Sequence, residues 1–289
     1  MYKHKPVLLS EVLEHLQPEP NQQFLDGTVG LGGHAEALLK RILPDGRLLA
    51  FDRDAGNLRV CQSRLASYGK AVVYINDSFS NAQTHAKAHG FTKIDGALLD
   101  LGFSSVHVDD PDRGFSFLKS GPLDMRYDPR GELSAAHIVN TWSEDELARI
   151  FREYGEERRA RDIARMIVKR RKSKQFTGTV DLAESIAQVV RRHGRIHPAT
   201  LVFQALRIAV NDEFGHLQLG LPGIVDLLRP GGRLAVISFH SLEDRVIKNF
   251  IKSRNDLIKV NKKVITATRL EIKSNSRARS AKLRIAEKV

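Results

Sequence analysis

The sequence predicts an α/β fold in which a parallel sheet is interrupted by a helical segment. Three observations carry that expectation. Short apolar runs alternate with helical patterns over the first hundred residues. The alternation stops near 105, where a turn-rich stretch leads into helices. A helix, a turn and a strand then return in LPGIVDLLRPGGRLAVISF. Strands that alternate with helices are joined by right-handed crossovers into parallel sheets.

Taken in order, QQFLD (22–26) is the first strand and HAEALLKRIL (34–43) has helical spacing. GRLLAFD (46–52) is the second strand, followed by a helix over AGNLRVCQSRLASY (55–68). AVVYIND (71–77) and KIDGALLDLG (93–102) hold the third and fourth strands, with a helix near 80–89 between them. In the interruption, Ser143 and Glu146 have capping-box spacing, and Leu147, Ile150, Phe151 and Tyr154 then share one helical face. Further helices are expected over 156–172 and 180–193. HPATLVFQALRIAVNDEF (197–214) is apolar on most sides and reads as a buried helix. A strand at 233–239, a helix at 241–253 and late strands near 258–265 and 282–288 complete the pattern. The expected organisation is a first α/β part at 1–105, an inserted helical domain at 106–206 and a second α/β part at 207–289.

The formal net charge of +12 is concentrated in two places. Residues 155–174 hold nine Lys/Arg against three acids, and residues 259–289 hold ten against two. Such zones suit a polyanionic partner, although a solvated basic surface explains charge alone equally well. Cys61 is the only cysteine, which excludes a disulfide within the chain and argues against a cysteine-built zinc site. No apolar run is long enough to cross a bilayer, and MYKHKPVLLSEVLEHL lacks the marks of a signal peptide. A cytoplasmic location is the expectation.

FLDGTVGLGGH (24–34) places four glycines directly behind the first strand. Glycine there lets the backbone turn sharply and approach a ligand, and the following helix points free N–H groups at the same spot. Gly30, Gly32 and Ala35 match G-x-G-x-x-A, so a dinucleotide competes with other ligands, and a plain strand–helix turn competes with both. Asp52 ends the second strand where an acid accepts from ribose hydroxyls. Asp26 ends the first strand beside the glycines; it suits a ligand bearing positive charge and repels a pyrophosphate. S-adenosylmethionine (SAM), with an ammonium and a sulfonium but no phosphate, fits these demands. Phe79 follows the third strand, as an adenine platform or as core. Asp100 ends the fourth strand, at the usual edge of a reaction site.

DGTVGLGGH, LLAFDRD, DGALLDLGFSS, RGFSF, GPLDMR, YGEE, HPAT, FQALRIAVNDE, GGRLAVISFHSLEDR and RARSAKLR occur in this order across nearly the whole chain. In these segments the chain resembles the MraW/RsmH family of bacterial rRNA methyltransferases. The resemblance implies a Rossmann-like, SAM-dependent methyltransferase sheet with an inserted helical substrate-binding domain. It implies methylation of the exocyclic N4 of a decoding-centre cytidine in 16S rRNA, within the small ribosomal subunit, and it allows a homodimer. Carried over by motif, SAM contacts fall on Gly32, Gly33, His34, Asp52, Phe79, Asp100 and His107. The family pattern is DLGVSSxQLD, whereas this chain reads DLGFSSVHVDD, so His107 replaces a glutamine amide. An imidazole nitrogen donates or accepts but does not do both in the amide's geometry.

The expected chemistry is an in-line displacement, in which positioning is the main task. Cytosine N4 is a poor nucleophile, so an acceptor on its N–H groups helps; Asp100 or a backbone carbonyl of DLGFSS is the candidate. His240, at the end of the fifth strand, is the second candidate, as an orienter of the base. His240, Ser241 and Asp244 have the residue types of a hydrolase triad, but there is no G-x-S-x-G elbow, and Ser241 with Asp244 has N-cap spacing. Other histidines lack ligand spacing, so no metal is expected. Arg113, Arg126 and the 158–174 face, with Arg277, Arg279, Lys282 and Arg284, are candidate phosphate contacts. Phe103, Phe115, Phe117 and Tyr127 are candidate platforms for an unstacked base, with core packing as the competing role. An NAD(P)-dependent oxidoreductase and a non-catalytic RNA-binding assembly factor are the alternative functions.

Overall fold

A computed structural model describes residues 5–190 and 197–289. Two compact units divide the chain: residues 1–102 with 215–289, and residues 103–214.

The first unit opens with helix α1 (Leu9–Leu16) and strand β1 (Gln23–Asp26). Helix α2 (Gly33–Ile42), β2 (Arg47–Phe51), α3 (Ala55–Arg64), β3 (Val72–Ile75), α4 (Ala82–Ala88) and β4 (Ile94–Asp100) follow. β1 pairs in parallel with both β2 and β4, and β2 pairs in parallel with β3. The chain therefore reverses direction across the sheet between β1 and β4, the place where open parallel sheets bind ligands at their carboxyl edge. The strands are nearly continuous apolar runs because helices cover both faces, and Phe24, Leu25, Leu48, Leu49, Ala97, Leu98 and Leu99 are all buried.

The second unit holds α5 (Ser105–Asp109), α6 (Ala135–Thr141), α7 (Glu144–Glu153), α8 (Ala160–Arg171), α9 (Thr179–Val189) and α10 (Thr200–Asn211). It has its own core, in which Phe151, Ile163, Ile167, Leu182, Ile186, Val202 and Leu206 interlock. The Ser143–Glu146 capping box forms as the spacing predicts, and Leu147, Ile150 and Phe151 are buried behind it. The sequence reading set the limits of this segment at 106 and 206. The compact unit instead runs from 103 to 214, because α10 packs by Val202, Ala205 and Leu206 into the helical core. Of the helix expected over 180–193, residues 191–193 lie outside the described residues.

The chain then returns through α11 (Glu213–Leu227), β5 (Leu228–Ser238), α12 (Ser241–Ser253), β6 (Leu257–Lys259), β7 (Ile265–Thr266), α13 (Arg269–Ser274) and β8 (Lys282–Lys288). The sheet order is β3-β2-β1-β4-β5-β8-β6, with β7 on β8. β5 is parallel to β4, whereas β8 runs antiparallel to β5.

Three departures from the expected elements have local causes. The helix expected over 197–214 breaks at Asp212, which takes a left-handed φ of 45°, and a new helix runs through Pro222. Its Gly220 is a packing device: a Cβ there would collide with the Phe79 ring. The strand expected at 233–239 begins at Leu228, with a register shift that lets Arg229–Gly231 bulge outward. The strand expected at 258–265 is two short pieces. Between them Asn261 leaves the ladder and its side chain accepts from Ile285 N at 2.9 Å.

Gly96 of β4 faces the ring of Phe24 on β1, which is fully buried and has no room to yield. Gly96→Ala should therefore cost about 1–3 kcal/mol of stability through overpacking. Urea unfolding of the two proteins should show a lower midpoint for the variant at an unchanged slope.

Candidate functional site

The tips of β1, β2 and β4 bring three carboxylates together on the first unit. Asp26 ends β1, Asp52 directly follows β2 and Asp100 ends β4. Parallel registry aligns them: Asp26 lies opposite Ala50 on one side and Leu98 on the other. Each acid has a share in building the glycine loop. Asp26 Oδ1 accepts from Thr28 N at 3.1 Å, and Asp52 Oδ2 accepts from Gly30 N at 2.9 Å. The other Asp52 oxygen accepts from Asp54 N at 2.7 Å. Asp100 N donates to Thr28 Oγ1 at 2.6 Å, tying β4 to the loop.

The glycines have separate jobs. Gly30 and Gly32 take left-handed φ values of 53° and 80° that favour glycine. A Cβ on Gly27 would strike Leu99, and one on Gly33 would lie 2.6 Å from Pro6 Cγ. Over Gly30 the space is open: a Cβ would meet only Thr28 O, at 3.8 Å. The loop thus leaves bare backbone at one point and is tightly packed at the others.

His34, in the first turn of α2, is buried and its Nε2 lies 2.9 Å from Val7 O. A carbonyl only accepts, so Nε2 carries the proton in this contact. Nδ1 faces Asp100 Oδ2 at 3.6 Å. Asp100 Oδ1 is buried and has no hydrogen-bond partner among the described residues. A buried carboxylate oxygen left without a donor is costly, and such an atom at a strand tip marks a place for a ligand donor.

Burial pushes the Asp26 carboxyl up to about 7, opposed by the Thr28 N–H and helped by the Asp52 charge. Burial likewise raises Asp52 to about 7, opposed by the Asp54 N–H. Asp100 rises to about 8 through burial first, then the nearby Asp26 and Glu243 charges, with Arg277 pulling the other way. Burial disfavours the ionised forms, and positive charge brought by a ligand would favour them. The orphaned oxygen, the acid cluster and the open backbone at Gly30 fit a ligand that carries positive charge and hydroxyl donors.

Other expected residues divide into those that face this cluster and those that do not. Gly32, Gly33 and His34 form the start of α2. Phe79 is 8% exposed and its ring is closed off by Gly220, so it is chiefly core. Arg277 is near enough to lower the pKa of Asp100, while Arg279 is exposed. His240 is the N-cap of α12, one residue before the cap expected at Ser241. Its Nδ1 accepts from Glu243 N at 3.4 Å and its Nε2 lies 3.0 Å from Glu243 Oε1. Nδ1 is thus spent on capping α12, while Nε2 lies beside the Glu243 carboxylate. Glu243 is the residue the sequence reading missed. It is 1% exposed, and Oε2 accepts from Phe239 N at 2.8 Å. Its signal was a Glu three positions after the cap.

On the second unit, His107 is buried in an aromatic cluster, stacked on Phe115 at 4.8 Å, with Nδ1 accepting from Ser104 N. Arg113 Nη2 donates to the carbonyls of Arg126 and Tyr127. Arg126 grips both oxygens of Asp124 and donates to Pro129 O and Gly131 O. These two arginines, expected as phosphate contacts, hold their own loop together. On the first unit Arg284 is similarly committed to Asp244, at 2.6 and 3.1 Å.

The three carboxyls bind more protons folded than unfolded, so their contribution to stability is full below about pH 4 and is lost as pH rises through about 7–8. The melting temperature of the ligand-free protein should therefore fall from pH 5 to pH 8.5. Asp100→Asn should melt higher than the parent at pH 8.5, with the gap closing toward pH 5; scanning calorimetry across that range checks it.

The model of the MraW methylase family matches residues 1–289. Ribosomal RNA small subunit methyltransferase H of Carboxydothermus hydrogenoformans is 46% identical over 308 residues, spanning 100% of this chain and 98% of that protein. The protein of the same name from Nostoc sp. is 48% identical over 293 residues, spanning 100% and 93%. The solved structure of PH0851 is 13% identical with a TM-score of 0.51, over 99% of this chain and 46% of that one, a likeness of fold alone. No helix among the described residues is long and apolar enough to cross a membrane. With a family match over its full length and relatives of this similarity, the chain belongs to the MraW methylase family.

Proposed function

We propose that this protein transfers a methyl group from SAM to the exocyclic N4 of a cytidine in the decoding centre of 16S rRNA. The observation that carries the reading is the trio of proton-hungry carboxylates around a bare glycine backbone, with Asp100 Oδ1 awaiting a donor. A pyrophosphate would face three acids there, which disfavours a dinucleotide. The names of the full-length relatives add the small-subunit rRNA as target class.

When bound, SAM supplies a methyl carbon already activated by a sulfonium. The chain's own part is to hold, orient and desolvate. Backbone N–H groups at Gly33 and His34, in the first turn of α2, suit the carboxylate end, whereas Gly32 N already donates to Val29 O at 2.8 Å. Asp52 suits the ribose hydroxyls, and Asp26 and Asp100 balance positive charge from beneath the loop. Asp100 is also the acceptor best placed in chemistry to take an N4 proton, because its affinity for protons lies near neutrality. Ligand cations favour the ionised acids, so SAM affinity should rise between pH 6 and pH 8.5 and then level off. Calorimetry on the parent and on Asp100→Asn measures this and separates roles. Lost binding assigns Asp100 to the cofactor, and retained binding with collapsed turnover assigns it to chemistry. Mass-spectrometric mapping of 16S rRNA from cells with and without the gene tests the target; an unchanged cytidine would refute it.

The helical unit is the proposed rRNA-binding part. Its arginines fall into two groups. Arg159, Arg170 and Arg171 are committed to Asp162, Asp181 and Val139 O. Arg158, Arg161, Lys169, Lys172 and Lys174 are exposed along α8 and its ends, as is Arg165, which lies 3.5 Å from Glu144. Such a face positions RNA through phosphates and reads little sequence. The triple variant Arg161→Glu, Lys169→Glu, Lys172→Glu should weaken rRNA binding by an order of magnitude or more at 0.1 M salt. Its log–log salt slope should flatten by about 0.7–0.9 per lost contact. SAM affinity should be unchanged, and filter binding over a salt series checks all three.

A further inference from the structure

Phe103 is a large apolar side chain left 41% exposed, yet its ring is held on two flanks. The Arg207 guanidinium lies over it, 4.9 Å from the ring centroid. That guanidinium does not wander: Arg207 is 9% exposed and donates from Nε and Nη2 to the two oxygens of Glu213, at 2.8 and 2.9 Å. Glu213 Oε1 also accepts from Tyr127 Oη at 2.9 Å. On a second flank stands Phe115, at 6.1 Å between centroids and tilted 35°. Phe115 in turn stacks on His107 and on Tyr127, at 4.8 and 5.5 Å. All of these residues belong to the helical unit.

An isolated surface phenylalanine would lose rotamer freedom on meeting a ligand. This one has already been ordered by a buried ion pair and an aromatic stack. It offers a fixed, planar, apolar surface in a unit whose exposed face is rich in Lys and Arg. Unpaired nucleobases stack on such surfaces, and exposed basic side chains of the same unit suit the phosphates. A cytosine whose N4 is to be methylated must leave its stack, and the lost stacking has to be replaced on the protein.

We propose that Phe103 is a stacking platform on the helical unit for an unpaired base of the RNA substrate. The proposal rests on the reading of the chain as an rRNA cytosine methyltransferase. Phe103 supplies binding of the base, and the chemistry stays with the strand-tip site.

The test compares the parent with Phe103→Val, Phe103→Leu, Phe103→Tyr and Phe103→Trp in labelled methyl transfer to undermethylated small subunits. Melting and SAM calorimetry on every protein accompany it. The Val and Leu variants should raise KM for the RNA substrate roughly tenfold, with kcat, SAM affinity and melting temperature close to the parent's. The Tyr and Trp variants should restore KM, which a purely packing role does not predict, since Leu fills space as well. Phe103→Trp adds a second indole to Trp142, and RNA should quench its emission beyond the quenching seen in the parent. Parental KM in the Val and Leu variants, or no added quenching, would overturn the platform alone. A parent that transfers no methyl group to small subunits would overturn the functional reading beneath it.

Discussion

Three carboxylates held at the tips of adjacent parallel strands, beneath a loop with almost no side chains, are the constraint on which the site depends. Like charges at such proximity and burial cannot all ionise without a counter-charge. The fold supplies only part of that counter-charge, through backbone N–H groups of Thr28, Gly30 and Asp54 and the more distant Arg277. Burial accordingly raises all three carboxyls above their ordinary range. An electrostatic deficit of this kind selects for cationic ligands before any shape is considered. The glycine loop is subordinate to it: Asp26 and Asp52 fold the loop by accepting its N–H groups, while Thr28 Oγ1 fastens the loop to β4.

The rest of the charge follows a division between arginines that build and cations that wait. Arg126 with Asp124, Arg170 with Asp181, Arg207 with Glu213 and Arg284 with Asp244 are pairs in which a planar guanidinium meets a carboxylate. They staple loops and helix ends that have little apolar area of their own. Exposed Arg161 and Lys169 of α8, with Lys172 at its end, leave a field suited to phosphates. Arg207 serves both purposes: fixed by Glu213, it in turn fixes the exposed ring of Phe103.

Much of this was legible in the residues. The alternation of FLD, LLAF, VVYI and ALLD with helical spacing gave β1 to β4, because both-face burial leaves uninterrupted apolar runs. Ser143 and Glu146 marked the start of α7, since a capping box needs only residues three apart. Asp26, Asp52 and Asp100 were identified as strand-end acids for the same local reason. Less was legible where the cause lay elsewhere in the chain. GHLQLG (215–220) falls in none of the expected elements, yet it is helical, and Gly220 there leaves room for the Phe79 ring. His240 rather than Ser241 caps α12 because the Glu243 carboxylate reaches back to Phe239 N and His240 N.

What the sequence determined by itself, then, was the order of elements, the chemistry at each strand tip and the family to which the motifs point. These depend on periodicity and on neighbours a few residues apart. Tertiary structure decided which charges are spent on the protein and which remain for a partner. Arg126 and Arg161 are alike in a sequence. One folds onto an acid and two carbonyls, and the other stays in water. The same holds for the four phenylalanine and tyrosine candidates, of which Phe103 alone is exposed. A side chain's availability is set by residues far away in the chain, through packing and desolvation that no local pattern encodes.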